Sequence, residues 1–498
     1  MTKNTKKAEH GDFQTPEDLA RQVCGFLKKN SVAPKSVIEP TCGAGTFFIE
    51  ALNVFDEARE GYACDIDENY IELLRNRLPD YGTSTQVRIE TADFFSKDWE
   101  SELCDLPEPI LVIGNPPWIT NSQLGQLGSE NLPVKLNHKK MKGLDALTGK
   151  SNFDISEWMI DRMIEWLQKK RGTVAMLCKT SVARKVLLNA WKNERKMEVA
   201  TMHLIDSKLH FRISADACLL TVTSSDRRRE DCKVYSHMEA DSPIQTIGLR
   251  EGFLVADIHG YEKTRHLIEN SQYYKWRTGI KHDCSKVMEL KKTGDGLYVN
   301  GLGEINELED MCLYPLLKGS GLANRRDPEK FMLVPQTRIG QETGYLAKAA
   351  PKTMEYLKKY GELLDRRTSS IYRDKPRFSV FGVGDYSFSN WKVAIAALYK
   401  KLEFFVVGPH EGKAVVFDDT VNFIAMDSPE ESHRLADLLN SDTANDFYSS
   451  FIFWDSKRPI TVQLLRSLDI DRLSAESGDR HKYSISKTSR QLLLIQGY

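Results

Sequence analysis

An apolar run at 109–114, "PILVIG", ends abruptly in Asn115, Pro116, Pro117 and Trp118. Its aliphatic and β-branched residues predict a short buried strand. Neither proline can donate a ladder hydrogen bond, so the strand must stop at Asn115. Backbone carbonyls beyond that point have no ladder partner. A carbonyl set beside a side-chain amide and a flat indole can grip a planar molecule that carries an amino group. Taken by themselves, the four residues also read as a plain turn.

Three earlier segments place chemistry at strand ends in the same way. In "VIEPTCGAGTFFIEAL", 37–52, a strand ending in Glu39 and Pro40 leads through Thr41, Cys42, Gly43 and Gly45 into a helix. Glycines after a first strand let the backbone approach a ligand, and the carboxyl end of that strand is where doubly wound sheets bind cofactors. The spacing is not GxGxxG. An acid with only two glycines suits a cofactor that has a cationic end and no pyrophosphate. Asp65, in "YACDIDENY", closes the second strand, where an acid commonly receives two ribose hydroxyls. "IETADFF" ends the third strand with Asp93 and Phe94, an acceptor beside a ring.

These strand ends converge only if the chain builds a parallel sheet, and its alternation of strand-like and helix-like segments to about residue 225 predicts one covered by helices. Ahead of the sheet, "FQTPEDLARQVCGFL" predicts a helix with Thr15 as N-cap and Pro16 at the first helical position. The charged stretch "SSDRRREDC", 224–232, interrupts the rhythm and marks the expected boundary, giving domains 1–230 and 231–498. At 498 residues, 41% hydrophobic and 28% charged, the chain is long enough for more than one core. Net charge is −1, so a polyanion would have to meet a local basic face. The nine cysteines form no CxxC pair, which argues against a structural zinc or disulfide framework and for a reducing compartment. No apolar segment reaches the roughly 18 residues of a membrane helix, and a cytoplasmic, prokaryotic location is expected.

The order TPxxLA, EPxCGxG, an acid after the second strand, ADF and NPPW resembles the class I S-adenosylmethionine-dependent methyltransferases. More narrowly it is similar to the gamma group of DNA adenine-N6 methyltransferases of restriction-modification systems. The resemblance spans about 10–222, and less sharply the second half. It implies an α/β, Rossmann-like catalytic domain with a mixed seven-stranded sheet and helices on both faces, followed by an α+β target-recognition domain. It implies S-adenosylmethionine as cofactor. Thr15 and the loop of Glu39, Pro40, Thr41, Cys42, Gly43 and Gly45 would hold its methionine part, Asp65 with Ile66 the ribose, and Asp93 with Phe94 the adenine. Asn115 and the Pro116 carbonyl would accept from the target amine, with Pro117 fixing that carbonyl, and Trp118 and Phe211 would stack on the flipped base.

Residues 366–400 interleave Arg366, Arg367, Arg373, Arg377 and Lys392 with aromatic residues, and Lys318, Arg325, Arg326, Lys457 and Arg458 add cations elsewhere. Each patch alone reads as a solvated face; together they favour contacts with double-stranded DNA. The long segment 121–154 is expected to close over the flipped nucleotide. "PDYGTSTQVRIE" lacks the lysine of a PD-(D/E)xK nuclease site, so cleavage is expected from a separately encoded endonuclease, with this chain a monomer. An RNA base or a protein glutamine as methyl acceptor, and an inactive DNA-binding module, remain alternatives.

Overall fold

The computed structural model describes residues 14–78, 85–119, 154–269 and 273–477. The chain divides into two compact units, Met1–Ile258 and His259–Tyr498.

Unit one is built on a ten-stranded sheet. Five parallel strands form one half of it: β1 (Ser36–Glu39), β2 (Glu60–Asp65), β3 (Gln86–Thr91), β4 (Ile110–Gly114) and β5 (Gly172–Lys179), in the spatial order β5-β4-β1-β2-β3 with β3 at the edge. β4 reads as an unbroken apolar run because every one of its residues is buried, as expected for a parallel strand covered on both faces. β6 (Ala200–Ile205) runs parallel to that group, and β7 (Ala217–Thr223) is inserted antiparallel between β5 and β6. Strand order reverses between β1 and β4, the position at which such sheets open a ligand crevice.

The expected sheet of seven strands is therefore extended by three. β8 (Asp231–Tyr235) pairs with β6, and β9 (Gln245–Arg250) and β10 (Phe253–Val255) continue the edge. The expected boundary at 230 falls inside this extension, and the first unit runs on to Ile258. Charge misled the sequence reading there: Arg228 and Glu230 pair with each other at the surface while the adjoining Cys232 and Val234 are buried on alternate positions of β8.

Helix α1 (Glu17–Lys29) packs Leu19, Val23 and Leu27 into a core shared with Phe47, Phe48 and Ile49 of α2 (Thr46–Val54). Its N-cap is Pro16, in an extended conformation and without a side-chain cap; Thr15 lies one residue outside the expected capping position. Helix α3 (Glu68–Arg77) follows β2, and α5 (Ile155–Trp166) and α6 (Thr180–Lys192) flank β5, with α4 (Trp99–Cys104) between β3 and β4. The short α7 (Ser207–Phe211) leaves the carboxyl end of β6.

Unit two holds a six-stranded sheet, with strands from Glu289–Lys292 to Val416–Phe417, and a four-stranded sheet that includes Trp391–Ala396 and Val421–Met426. Its pairings are antiparallel except that of Leu313–Leu317 with Val416–Phe417, and helices such as Pro351–Lys359 and Pro429–Leu439 cover it, an α+β arrangement. Among the described residues no helix is long and apolar enough to cross a membrane.

Candidate active site

Glu39 ends β1 with its carboxylate buried, at 3% exposure. Its Oε2 accepts the Phe48 backbone N–H at 2.8 Å, in the first turn of α2, whose N-cap Gly45 has no side chain to do so. The other oxygen faces the tip of β4, where a Cβ placed on Gly114 would lie 3.4 Å from it. Burial, opposed by the Phe48 N–H, raises the Glu39 carboxyl well above the usual carboxylate range. A cation bound beside it would favour the ionised form that burial disfavours.

The turn after β1 is set by two glycines. Gly43 and Gly45 adopt φ of 50° and 77°, left-handed values that cost a residue with a Cβ. A Cβ on Gly45 would stand 2.2 Å from Leu74 Cδ1, and one on Gly43 would meet the Gln14 amide at 2.9 Å. Gly43 donates its N–H to Asp65 Oδ2 at 2.8 Å and Asp67 donates to Asp65 Oδ1 at 3.0 Å, so the acid of β2 is locked to the turn after β1. Ala44 donates to Gln14 Oε1 at 3.2 Å while Arg77 donates to the Ala44 carbonyl at 2.8 Å. Pro40, Thr41 and Cys42 complete the turn, and Thr15 is the chain neighbour of the Gln14 that bonds it. Ile66, immediately after Asp65, is 49% exposed, an apolar surface left beside the acid.

Asp93 follows β3 and accepts the Phe95 N–H at 3.0 Å. Phe94 is buried in an aromatic cluster, 5.4 Å from Trp99 and 5.7 Å from Trp166 between ring centroids, and so is occupied by protein neighbours.

At the end of β4, Asn115 and Pro117 are half-buried and Pro116 and Trp118 buried. Trp118 donates its indole N–H to the Leu177 carbonyl at 3.4 Å, which pins the ring against β5. Phe211 meets it edge-on, with centroids 5.3 Å apart at 61°. The two rings thus touch each other. They leave no base-wide gap between them, contrary to the expectation of two plates standing ready on either side of a base.

Two residues of this corner were not singled out in the sequence. Lys179, the last residue of β5, donates to the Trp118 carbonyl at 3.3 Å and to Asp154 Oδ2 at 2.6 Å. Asp154 in turn caps α5, its Oδ1 accepting the Ser156 N–H at 3.2 Å and Oγ at 2.6 Å. Ile155 N–H bonds the Ile119 carbonyl at 3.0 Å. The signals were present: a cation at the tip of an apolar strand, and an Asp just before an amphipathic run. The expected closing segment at 121–154 lies, but for Asp154, outside the described residues.

The structure separates the basic residues of the second half. Lys392 lies within the buried strand Trp391–Ala396 at 1% exposure, donates to the Ser389 carbonyl, and is held by burial down to about 7. It is no surface contact. Arg367 is an internal staple, donating to the Leu364, His282 and Ser379 carbonyls and standing 3.9 Å from the Tyr372 ring centroid. Lys318 pairs with buried Glu289 at 2.7 Å and with Asp418 at 3.4 Å. Arg325 pairs with Glu403, Arg366 with Glu362, Arg377 with Asp365 and Arg458 with Asp419. Arg326, Arg373 and Lys457 are exposed and form no ion pair among the described residues.

A family model described as N-6 DNA methylase matches residues 1–249. The type II methyltransferase M.NspV of Nostoc sp. is 44% identical over 471 residues, which cover 94% of this chain and 98% of that protein. The type II methyltransferase M.VspI of Vibrio sp. is 31% identical over 112 residues, 22% of this chain and 26% of that one. Among solved structures, the type IIL restriction-modification enzyme MmeI in complex with DNA aligns with a TM-score of 0.54 at 12% identity, covering 94% of this chain and 68% of that chain, a likeness of fold.

Proposed function

Since the chain belongs to the N-6 DNA methylase family, we propose that it methylates the N6 amino group of an adenine flipped out of duplex DNA at one specific sequence. It is an S-adenosylmethionine-dependent, adenine-specific DNA methyltransferase of the restriction-modification type. On this reading it protects DNA from a cognate endonuclease carried on a separate chain, and acts as a monomer in the cytoplasm of a prokaryotic cell.

The observation that carries the reading is the placement of Asn115–Trp118 at the carboxyl end of β4, where strand order reverses beside Glu39. When bound, S-adenosylmethionine supplies an electrophilic methyl group on a sulfonium. The donor set fits it: Glu39 offers a buried carboxyl group to the cationic amino-acid end, and Asp65, with the exposed Ile66 beside it, closes β2 where ribose hydroxyls would be received. Thr15 and the glycine turn close over the methionine part, and Asp93 receives the adenine amine, with Phe94 behind it.

An exocyclic adenine amine is a weak nucleophile because its lone pair is delocalised into the ring. Asn115 Oδ1 and the Pro116 carbonyl accept its two N–H bonds, drawing the nitrogen toward tetrahedral geometry and freeing the lone pair. Pro117 holds the Pro116 carbonyl by confining that residue to an extended conformation. The two oxygens act as preorganised acceptors, strongest when the amine acquires positive charge. Trp118 stacks on the extruded base and offsets part of the few kcal/mol that unstacking costs. Unit two is the part we assign to DNA recognition, with Arg326, Arg373 and Lys457 as its phosphate contacts.

The test is tritium transfer from labelled cofactor to duplex DNA, RNA and protein, with single-molecule sequencing of DNA from expressing cells to locate N6-methyladenine. Label in duplex DNA, lost in Asn115→Ala while cofactor binding persists, is the expected result. Label confined to RNA or protein, or full turnover by Asn115→Ala, overturns it.

A further inference from the structure

α7 turns two faces to its surroundings. Ser207 and Phe211, four residues apart, point inward, Phe211 onto Trp118. Lys208 and Leu209 are turned outward, and Arg212 follows them as the residue that ends the helix. All three are exposed, Leu209 at 72%, above every other large apolar side chain of the described residues. Lys208 and Arg212 form no ion pair among the described residues. An isolated exposed leucine is ordinary on a surface, but this one stands at the carboxyl edge of the sheet, the edge at which Asn115 and Trp118 lie.

The turn is rigid. Asp206 caps it through the Leu209 N–H at 2.9 Å. Ser207 Oγ donates to the Ile213 carbonyl at 3.1 Å and to that of Ala215, tying the following chain back beneath the helix. Arg212 takes the left-handed conformation at φ 58°, where glycine is the usual choice.

Resting on the function proposed above, we propose that the outward face of α7 is the wedge that enters the DNA stack where the target adenine leaves it, with Leu209 filling the vacated step and Lys208 and Arg212 on the flanking phosphates. Proteins that unstack a base step commonly insert an apolar side chain there, beside cations that neutralise the backbone. A duplex that delivers a base to the β4 corner must lie across the carboxyl edge of the sheet, and α7 is the part of that edge with an apolar tip between two cations.

The experiment compares Leu209→Ala with the unaltered enzyme on two duplexes carrying the recognition sequence found by sequencing: one fully paired, one with an abasic site opposite the target adenine. Because Leu209 is solvent-exposed, the variant keeps its fold, checked by cofactor affinity. The expected loss in kcat/KM on the paired duplex is about 10- to 100-fold, since unstacking a base costs a few kcal/mol. On the abasic duplex, where the target is already loosened, most of that loss disappears, and Leu209→Met retains activity on both. Equal losses on the two duplexes, or none on either, overturn the wedge. If the unaltered enzyme transfers no methyl group to DNA adenine, it is the function that fails, and the two failures are told apart.

Discussion

Replacing Lys179 by Met removes a charge that serves two masters. Its ammonium is the counter-ion of Asp154, whose carboxylate is nearly inaccessible to solvent, and the donor to the Trp118 carbonyl. Breaking a buried ion pair by deleting one partner costs about 3–5 kcal/mol. Here the lysine end is 27% exposed and Asp154 keeps its bonds to Ser156, so we expect a cost somewhat below that scale, about 2–3 kcal/mol. Turnover falls further than stability suggests, because the Trp118 carbonyl, just past Pro117, loses its fixed donor and the tip of β4 is freed to shift; a displacement near 1 Å at reacting groups costs on the order of 100-fold in rate. Urea unfolding, cofactor titration and single-turnover methylation of duplex DNA measure the three quantities. Lys179→Met should unfold earlier, bind cofactor as before, and methylate slowly. Adding Asp154→Asn should recover most of the stability, since no uncompensated charge remains, without recovering the rate. A single variant that methylates at the normal rate, or that loses cofactor affinity as steeply as turnover, refutes the argument.

Three other perturbations follow from the same structure. Lys392→Met should stabilise the protein by about 2–4 kcal/mol at neutral pH, since burial holds the amine near 7 and its charged form is lost on folding; the gain should shrink toward pH 10 with DNA affinity unchanged, and weaker DNA binding would contradict the burial of this residue. His203, stacked 4.6 Å from Tyr235 and held by burial at about 4, should stabilise the fold fully above its ordinary value near 6.5 and progressively less below it. Between pH 7.5 and pH 5 the unaltered protein should lose about 2 kcal/mol relative to His203→Phe, read from urea midpoints, and parallel pH curves would refute this. Gly45→Ala should cost at least about 1–2 kcal/mol from the left-handed conformation alone and weaken cofactor binding, because the turn after β1 must shift away from Leu74; an unaltered cofactor affinity would show that the turn does not hold the ligand.

What the sequence made legible was whatever one strand carries by itself. β4 announces its burial in five consecutive apolar residues and its end in two prolines, and the acids Glu39, Asp65 and Asp93 sit at strand ends where the pattern predicts them. What depends on a partner was not legible. Lys392 sits in a strand whose companions are all apolar or small, yet counted as a surface cation because sequence shows charge and not the neighbours that enclose it. Arg367 and Lys318 were miscounted in the same way, one bonded to carbonyls and the other to a carboxylate far along the chain. The boundary at 230 failed because a run of arginines and acids in β8's approach neutralises itself at the surface while the strand behind it joins the sheet. Thr15 missed its capping position by one residue, since Pro16 can occupy the N-cap itself and leave the first N–H groups to others.

The Trp118–Phe211 contact has a bearing on selectivity. On the proposed reading, the seat for the nucleobase is already taken at rest by a phenylalanine edge, a contact worth about 0.5–1.5 kcal/mol beyond the area it covers. A visitor must displace that edge before its amino group is ever tested by Asn115. On the same reading a purine, with two rings to stack, repays that displacement more fully than a single-ringed pyrimidine. The phenylalanine edge would then tilt the competition toward larger rings by a few-fold to about tenfold, ahead of any test of hydrogen-bonding pattern.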